Sequence, residues 1–313
     1  MEKRTIYEIK SVYRDDFRVV GYEFGSGEKS ACIVGECRGN EVQPLYVCSQ
    51  LVKALKGLEE RGGICPGHKI LVIPSMNPHS MNVKKRFWPI DNSDINRMFP
   101  GYNLGETTQR IAAGIFEEIQ DYQIGMQYTS FYMPGNFTPH VRMMETGLED
   151  VEMAKQFGLP YVVVRKVRPY DTTTLNYNWQ IWESKAFSLY TTTTDHIDHL
   201  SARQSVHSVM NFLGKQGIVT YKGHDGYISQ VVRDTEMVNV RTKKSGLFFA
   251  RVHVGQEVFQ GELLAQILDP FEGEVIEEIT SPVNGNIFFA HNDPLCYSHT
   301  SVYKIVRNDS VGV

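Results

Sequence analysis

Ala31-Cys32-Ile33-Val34-Gly35-Glu36-Cys37-Arg38-Gly39-Asn40-Glu41 is the stretch whose pattern decides the fold class. Its first five residues are small or apolar without alternation and end in glycine, as in a strand buried on both faces of a parallel sheet. A polar turn follows at 36–41. Residues 45–58 then carry apolar side chains three and four apart, the spacing of an amphipathic helix. Gly62-Gly63 ends that helix, and 69–74 (KILVIP) predicts the next strand. Further along, 107–120 reads as a helix with Ile111, Ile115 and Ile119 on one face. Residues 161–164 read as a β-branched strand, and 205–213 as a helix closed by Gly214. Strand–helix alternation with buried strands predicts a layered α/β domain over 1–220, its site in loops at the carboxyl ends of strands.

Beyond residue 221 the texture changes to short alternating runs at 227–232, 246–253, 263–267, 285–290 and 302–306, separated by Gly, Pro and Asp. That punctuation predicts a small all-β domain over 221–313. Its segments Val254-Gly255-Gln256-Glu257-Val258 and Ser281-Pro282-Val283-Asn284-Gly285 resemble the biotinyl-lipoyl, barrel-sandwich type. No lysine sits on a hairpin tip that would carry the prosthetic group, so a structural role is expected.

The 313 residues hold 32 Lys and Arg against 36 Asp and Glu, a net charge of −4, with 42% hydrophobic residues. That length and balance suit two globular domains. A mildly acidic chain has no general attraction to nucleic acid or membrane surfaces. There is no apolar run near the roughly 20 residues of a membrane helix. The polar N-terminus lacks a signal-peptide core. Five cysteines, an odd number without framework spacing, read as reduced thiols, so a cytoplasmic location is expected.

Residues 77–101 form about 25 residues without periodicity, a length that ordered loops reach chiefly for function. Within them Arg86, Asn96 and Arg97 make a fork suited to a carboxylate; the competing reading pairs the arginines with Asp91 and Asp94. Other motifs carry plainer readings. Lys84-Lys85-Arg86-Phe87-Trp88 is too short for a nucleic-acid footprint, and Thr191–Thr194 reads as an exposed strand end. Asp195-His196-Ile197-Asp198-His199 offers a metal pair, His196 and His199, only if helical; solvated or capping groups are the simpler expectation. Cys37 reads as packing and His140 as a loop histidine or a site residue.

Asp94-Ile95-Asn96-Arg97-Met98-Phe99-Pro100-Gly101 closely resembles the D-L-N-R-x-F-P-G segment of the succinylglutamate desuccinylase/aspartoacylase family, of the zinc carboxypeptidase clan. Asn77-Pro78 and Arg86 match the same pattern, Gly35 to Glu41 resembles its G-x-x-H-G-N-E turn, and the β-rich region resembles its C-terminal extension. The resemblance spans about 30–310. It implies a zinc-carboxypeptidase-like mixed sheet flanked by helices, then a barrel-sandwich-like C-terminal domain. It also implies amide hydrolysis at a zinc held by a His, a Glu three residues on, and a second His. Carried over residue by residue, it puts Arg38 at the first His and Gln127 at the second, leaving Glu41 the only retained ligand-type residue. Tyr190 stands nearest the general base. Arg86, Asn96, Arg97 and Arg142 are the implied carboxylate-binding residues.

A protonated guanidinium has no lone pair to give a metal, and an amide carbonyl is a poor zinc ligand beside imidazole. No metal is therefore expected. Three readings follow: a pseudoenzyme that keeps the carboxylate pocket as a binding or regulatory subunit, perhaps beside an active paralogue; a metal-dependent N-acyl-amino-acid deacylase with an unusual or partner-completed site; and a metal-free enzyme using Cys37, Tyr190 or the 195–199 cluster.

Overall fold

In the computed structural model, residues 1–13, 15–131 and 133–308 are described. In chain order they form β1 (Glu2–Ile9), β2 (Phe17–Gly25), β3 (Gly27–Glu36), α1 (Val42–Glu59), β4 (Gly67–Ser75), α2 (Pro78–Asn82), α3 (Thr107–Ile119), β5 (Ile124–Tyr128), β6 (Asn136–Phe137), β7 (His140–Glu145), α4 (Val151–Lys155), β8 (Tyr161–Lys166), α5 (Leu175–Ile181), β9 (Lys185–Tyr190) and α6 (His199–Lys215). Then come β10 (Gln230–Arg233), β11 (Val238–Arg241), β12 (Gly246–Ala250), β13 (Glu257–Val258), β14 (Leu263–Leu268), β15 (Val275–Thr280), β16 (Gly285–Ala290), β17 (Leu295–Cys296) and β18 (Ser301–Arg307).

Nine strands make one mixed sheet in the order β1-β2-β4-β3-β5-β9-β7-β8-β10. Its centre is parallel, as the unbroken apolar runs required: β3 pairs parallel with β4 and β5, and β5 with β9. Side-chain alternation divides each central strand between two layers. Ala31 and Ile33 face a core with Val47, Leu51 and Leu55 of α1 and Val209 and Phe212 of α6. Cys32 and Val34 face the opposite core with Ile111 and Ile115 of α3 and Trp179 of α5. Gly125 of β5 lies under Trp179, where an added Cβ would stand 2.5 Å from the indole. All five cysteines are free thiols.

The C-terminal strands form two smaller antiparallel sheets around their own core, which includes Leu264, Ile267, Ile287 and Tyr303. Two details differ from the sequence-based expectation. The strand expected at 227–232 as part of the β-rich unit is β10, which extends the large sheet by pairing parallel with β8. Val231 and Val232 complete the open edge of the equally β-branched β8. Conversely, β6, from the first two-thirds of the chain, pairs with β16. The two units thus exchange strands across their junction. No helix among the described residues is long and apolar enough to cross a membrane.

The parallel centre brings the ends of β3, β4, β5 and β9 to one edge of the sheet. Because β7 runs antiparallel to β9, its first residue, His140, stands opposite Tyr190, the last of β9. The site is built there.

Candidate functional site

The turn after β3 is organised by one buried carboxylate. Glu41 accepts backbone N–H bonds from Cys37 at 2.9 Å and Arg38 at 3.1 Å, and the Ser130 hydroxyl also donates to it. The guanidinium of Arg38, 4% exposed, donates through Nη1 to Glu41 Oε1 at 3.0 Å. Its other edge donates through Nε and Nη2 to Asp94 Oδ2 at 3.1 and 2.9 Å. Asp94 in turn caps the 3-10 turn Ile95–Arg97, accepting from Asn96 N at 3.0 Å. Arg38 therefore bolts the 37–41 turn to the 94–101 loop. The two carboxylates outweigh the burial of the guanidinium, which by itself would lower its pKa, and hold that pKa above the ordinary value.

Gly39 makes this closure possible. A Cβ there would lie 2.2 Å from the carbonyl carbon of Ser80, so α2 packs directly on the turn's backbone. Asn77 caps α2 by accepting from Ser80 N and also donates to the Cys37 carbonyl at 3.4 Å.

Gln127, near the end of β5, lies behind the turn. Its Nε2 donates to Cys37 Sγ at 3.2 Å and to Asn96 Oδ1 at 2.9 Å; Asn96 Oδ1 also accepts from Leu175 N at 3.3 Å. Asn96 is thus committed to tying the loop to α5 and does not line the cavity. Burial pushes the Cys37 thiol pKa well up, with the Glu41 charge adding to it. The residues at 38, 41 and 127 do not make a zinc site. A guanidinium occupies Glu41, and the amide of Gln127 turns its N–H outward to a thiol and a carbonyl. Among the described residues no three His, Cys, Asp or Glu side chains gather as a metal-holding group. His196 and His199 do not share a helix face, since Asp198 caps α6 and His196 precedes it, bonded to Asp195. Cys37 is packed and Thr191 to Thr194 are buried or half-buried.

In front of Arg38 opens a cavity of about 490 Å³. Arg38, Arg86, Arg97, Arg142, Arg165, Arg168 and Lys304 line it, against Asp94 and Asp234. Neither arginine of the long loop takes the partner that an ordinary ion-pair reading gave it. Asp94 belongs to Arg38 and Asp91 accepts from Ser93. Arg97 donates to the Tyr170 carbonyl and lies 3.6 Å from Asp171. Arg86 donates to the Phe131 carbonyl at 3.3 Å, and burial together with the charge of Arg38 lowers its pKa. Arg165 pairs with Asp171 at 3.1 Å and approaches Asp234 at 3.9 Å, and Arg168 lies 4.0 Å from Asp234.

At the far wall, Arg142 lies over the rings of Tyr190 at 4.6 Å and Phe131 at 5.0 Å. His140 stacks on Tyr190 with centroids 4.5 Å apart and planes 5° from parallel. Tyr190 itself stands behind the wall, buried, with its pKa raised by burial. The sequence did not single out Arg165, Arg168, Asp234 and Lys304; they come from β8, the loop after it, the turn after β10 and β18, and the only local signal was the basic run at 165–168.

A family model described as the succinylglutamate desuccinylase/aspartoacylase catalytic domain matches residues 28–185, just over half of the chain. This chain belongs to that family. An N-alpha-acetyl-L-2,4-diaminobutyric acid deacetylase from Halomonas elongata is 22% identical over 252 residues, 77% of this chain and 70% of that protein. Among solved structures, a succinylglutamate desuccinylase from Silicibacter sp. TM1040 is similar with a TM-score of 0.80 and 18% identity, over 97% of this chain and 93% of the other. The product-bound ectoine utilization protein EutE (DoeB) of Ruegeria pomeroyi gives 0.78 and 19%, over 94% and 90%. These structural likenesses establish the family fold, including the antiparallel C-terminal sheets. The family match ends at the first residue of β9, so Tyr190 behind the cavity wall and the lining residues Asp234 and Lys304 lie outside it.

Proposed function

We propose that this chain is a binding member of the succinylglutamate desuccinylase/aspartoacylase family that keeps the fold and an anion pocket but not the zinc, and acts as a binding or regulatory subunit. The observation that carries this reading is Arg38. It stands where the family pattern has its first histidine, nearly wholly buried, with its donors spent on Glu41 and Asp94. A permanent cation in that place supplies the positive charge that Glu41 would otherwise draw from a metal, and repels a metal ion. Gln127 at the second histidine position, and Tyr190 where the general base belongs, support the same reading. The ligand is a small amino-acid-like or acyl anion, held by Arg86, Arg97 and Arg142. An active paralogue of the same family is the protein partner such a subunit would serve, and the net charge of −4 calls for no nucleic acid or membrane.

A second reading is an active N-acyl-amino-acid deacylase whose metal site is unusual or completed by a partner. The family membership and the deacetylase relative favour it. Metal analysis of the purified protein separates the two, with an Arg38→His, Gln127→His variant beside it. The expected result is substoichiometric zinc in the wild type and zinc binding restored in the variant. One equivalent of zinc in the wild type, with release of acetate from N-acetyl amino acids, establishes the deacylase instead.

A further inference from the structure

The 52 residues from Val252 to Tyr303 contain eight Asp and Glu and not one lysine or arginine. All 32 basic residues of the chain, with its other 28 acidic ones, lie outside that run. A molecule of net charge −4 is therefore polarised: an acidic β-rich unit on a mildly basic body. Among the described residues no ion pair involves a residue beyond Asp234, so none of the eight carboxylates is neutralised within the chain.

The four-stranded sheet β15-β14-β12-β17 adds an apolar face to this charge. Phe248, Ile267 and Ile279 turn inward to the core of the unit. On the outward face Leu295 pairs with Leu247, Leu247 with Leu268, and Leu268 with Val275. Residues paired directly across strands share a face, so four apolar side chains run in one row over all four strands. Leu295 and Val275 at its ends are exposed, and Leu247 and Leu268 are half-buried. Beside the row, the turn between β14 and β15 presents Phe271, 96% exposed. That turn is rigid. Asp269 Oδ1 accepts from Phe271 N at 2.8 Å and Glu272 N at 2.9 Å, and Gly273 takes the left-handed φ of 74°. An exposed phenylalanine on a turn already fixed loses little freedom on docking. With Asp269 spent on the turn, Glu272 and Glu274 carry the charge next to it. Contiguous apolar surface of this kind marks an interaction face.

The body of the same chain offers the complement. Val83, Lys84 and Lys85 are exposed where α2 ends, and Ile90 is exposed on the turn that follows. That turn is closed by Trp88 N donating to Ser93 O at 2.8 Å and Asn92 N to Trp88 O at 2.9 Å. Trp88 itself is buried, which holds Ile90 outward.

We infer that the chain pairs with a second copy of itself, the outward face of the β15-β14-β12-β17 sheet and Phe271 of one copy lying on the 83–90 segment of the other, with Glu272 and Glu274 facing Lys84 and Lys85. In a two-fold pair the contact is made twice. Joining two β15 edges is not the mode, because it brings Glu277 and Glu278 of both copies together.

Sedimentation velocity of the full chain tests it. A dimer is expected, with Kd rising at least about tenfold between about 50 mM and about 500 mM salt, because charge pairs at a rim are screened. Phe271→Ser should weaken pairing at least about tenfold, as loss of an aromatic anchor does, and leave the thermal melt of the protein unchanged. Glu272→Lys with Glu274→Lys should weaken the pair, and so should Lys84→Glu with Lys85→Glu. All four changes in one chain should restore it, a recovery that mere damage to either surface does not give. None of the residues changed lines the cavity. A chain that stays monomeric up to about 100 μM overturns the proposal, as does a dimer that Phe271→Ser leaves as tight as wild type. Charge reversal on the sheet that weakens pairing without rescue by reversal at 84 and 85 overturns it too, since the sheet then meets some other surface.

Discussion

At the scale of single residues, the site turns on the buried guanidinium of Arg38. Arg38 makes one ion pair within its own turn and one 56 residues along the chain. Removing it leaves Glu41 and Asp94 close together, buried or partly buried, with their counter-charge gone. Breaking a buried pair from one side costs about 3–5 kcal/mol. Arg38→Ala is therefore expected to lower the unfolding free energy measured in urea by that order, seen as a lower midpoint. An added Glu41→Gln should recover part of the loss, because the amide removes one of the two uncompensated charges. Equal stability of wild type and Arg38→Ala in urea would contradict the bolt. Arg38→Lys should fall between them, since one ammonium cannot donate from two edges to two carboxylates.

At the scale of elements, the closeness of the 37–41 turn to α2 depends on Gly39, whose place a Cβ cannot share with the Ser80 backbone. Gly39→Ala should cost about 1–3 kcal/mol, as overpacking does, and loosen the tie between turn and α2. Guanidinium unfolding of the two proteins checks it, and an unchanged midpoint would show that the turn has slack. The same turn was legible in the sequence because its information is local: an apolar run, a glycine, a polar hexapeptide, an amphipathic helix. The helices α1 and α3, strand β4 and the 94–101 loop were legible for the same reason. The β1–β2 hairpin was not: β1 is an edge strand with a single buried residue, and in β2 the adjacent Val19-Val20 and the glycine at 21 blur the hydrophobic alternation in the sequence. Nor was the sheet membership of β10: a valine-rich strand looks alike in either sheet, and only the open edge of β8 decides its place. Two of the three residues of the expected carboxylate fork reach the cavity. Arg86 and Arg97 line the cavity, but Asn96 is spent on Gln127 and α5. Arg142 lines the cavity too, whereas Lys304, which also lines it, stands 162 residues away, where sequence spacing says nothing.

At the scale of the whole molecule, the open end of the sheet stores two neutral titratable groups whose effects on stability run in opposite directions. Glu36, the last residue of β3, is buried with Oε1 unpartnered among the described residues; burial pushes its pKa up to about 8, from 4.5. Between those values the folded chain holds a proton the unfolded chain has lost, so stability falls as pH rises, at up to about 1.4 kcal/mol per pH unit. His140 is the reverse case, lowered by burial to about 3, from 6.5. Between those values the unfolded chain holds the extra proton, so stability is full above 6.5 and falls as pH drops. From 4.5 to 6.5 the two slopes cancel, which makes a plateau. Above 6.5 the carboxyl of Glu36 alone acts, and below 4.5 the imidazole of His140 alone acts. Urea denaturation across pH 3 to 9 should therefore show Glu36→Gln gaining stability over wild type from pH 4.5 to 8, with no such gain growing below 4.5. His140→Gln should differ from wild type with the opposite trend, its advantage growing as pH falls from 6.5 toward 3. Taking differences between variant and wild type cancels the exposed carboxylates and lysines, so a Glu36→Gln difference that stays constant with pH would show that this carboxyl is ionised in the folded protein and has found a cation at the site.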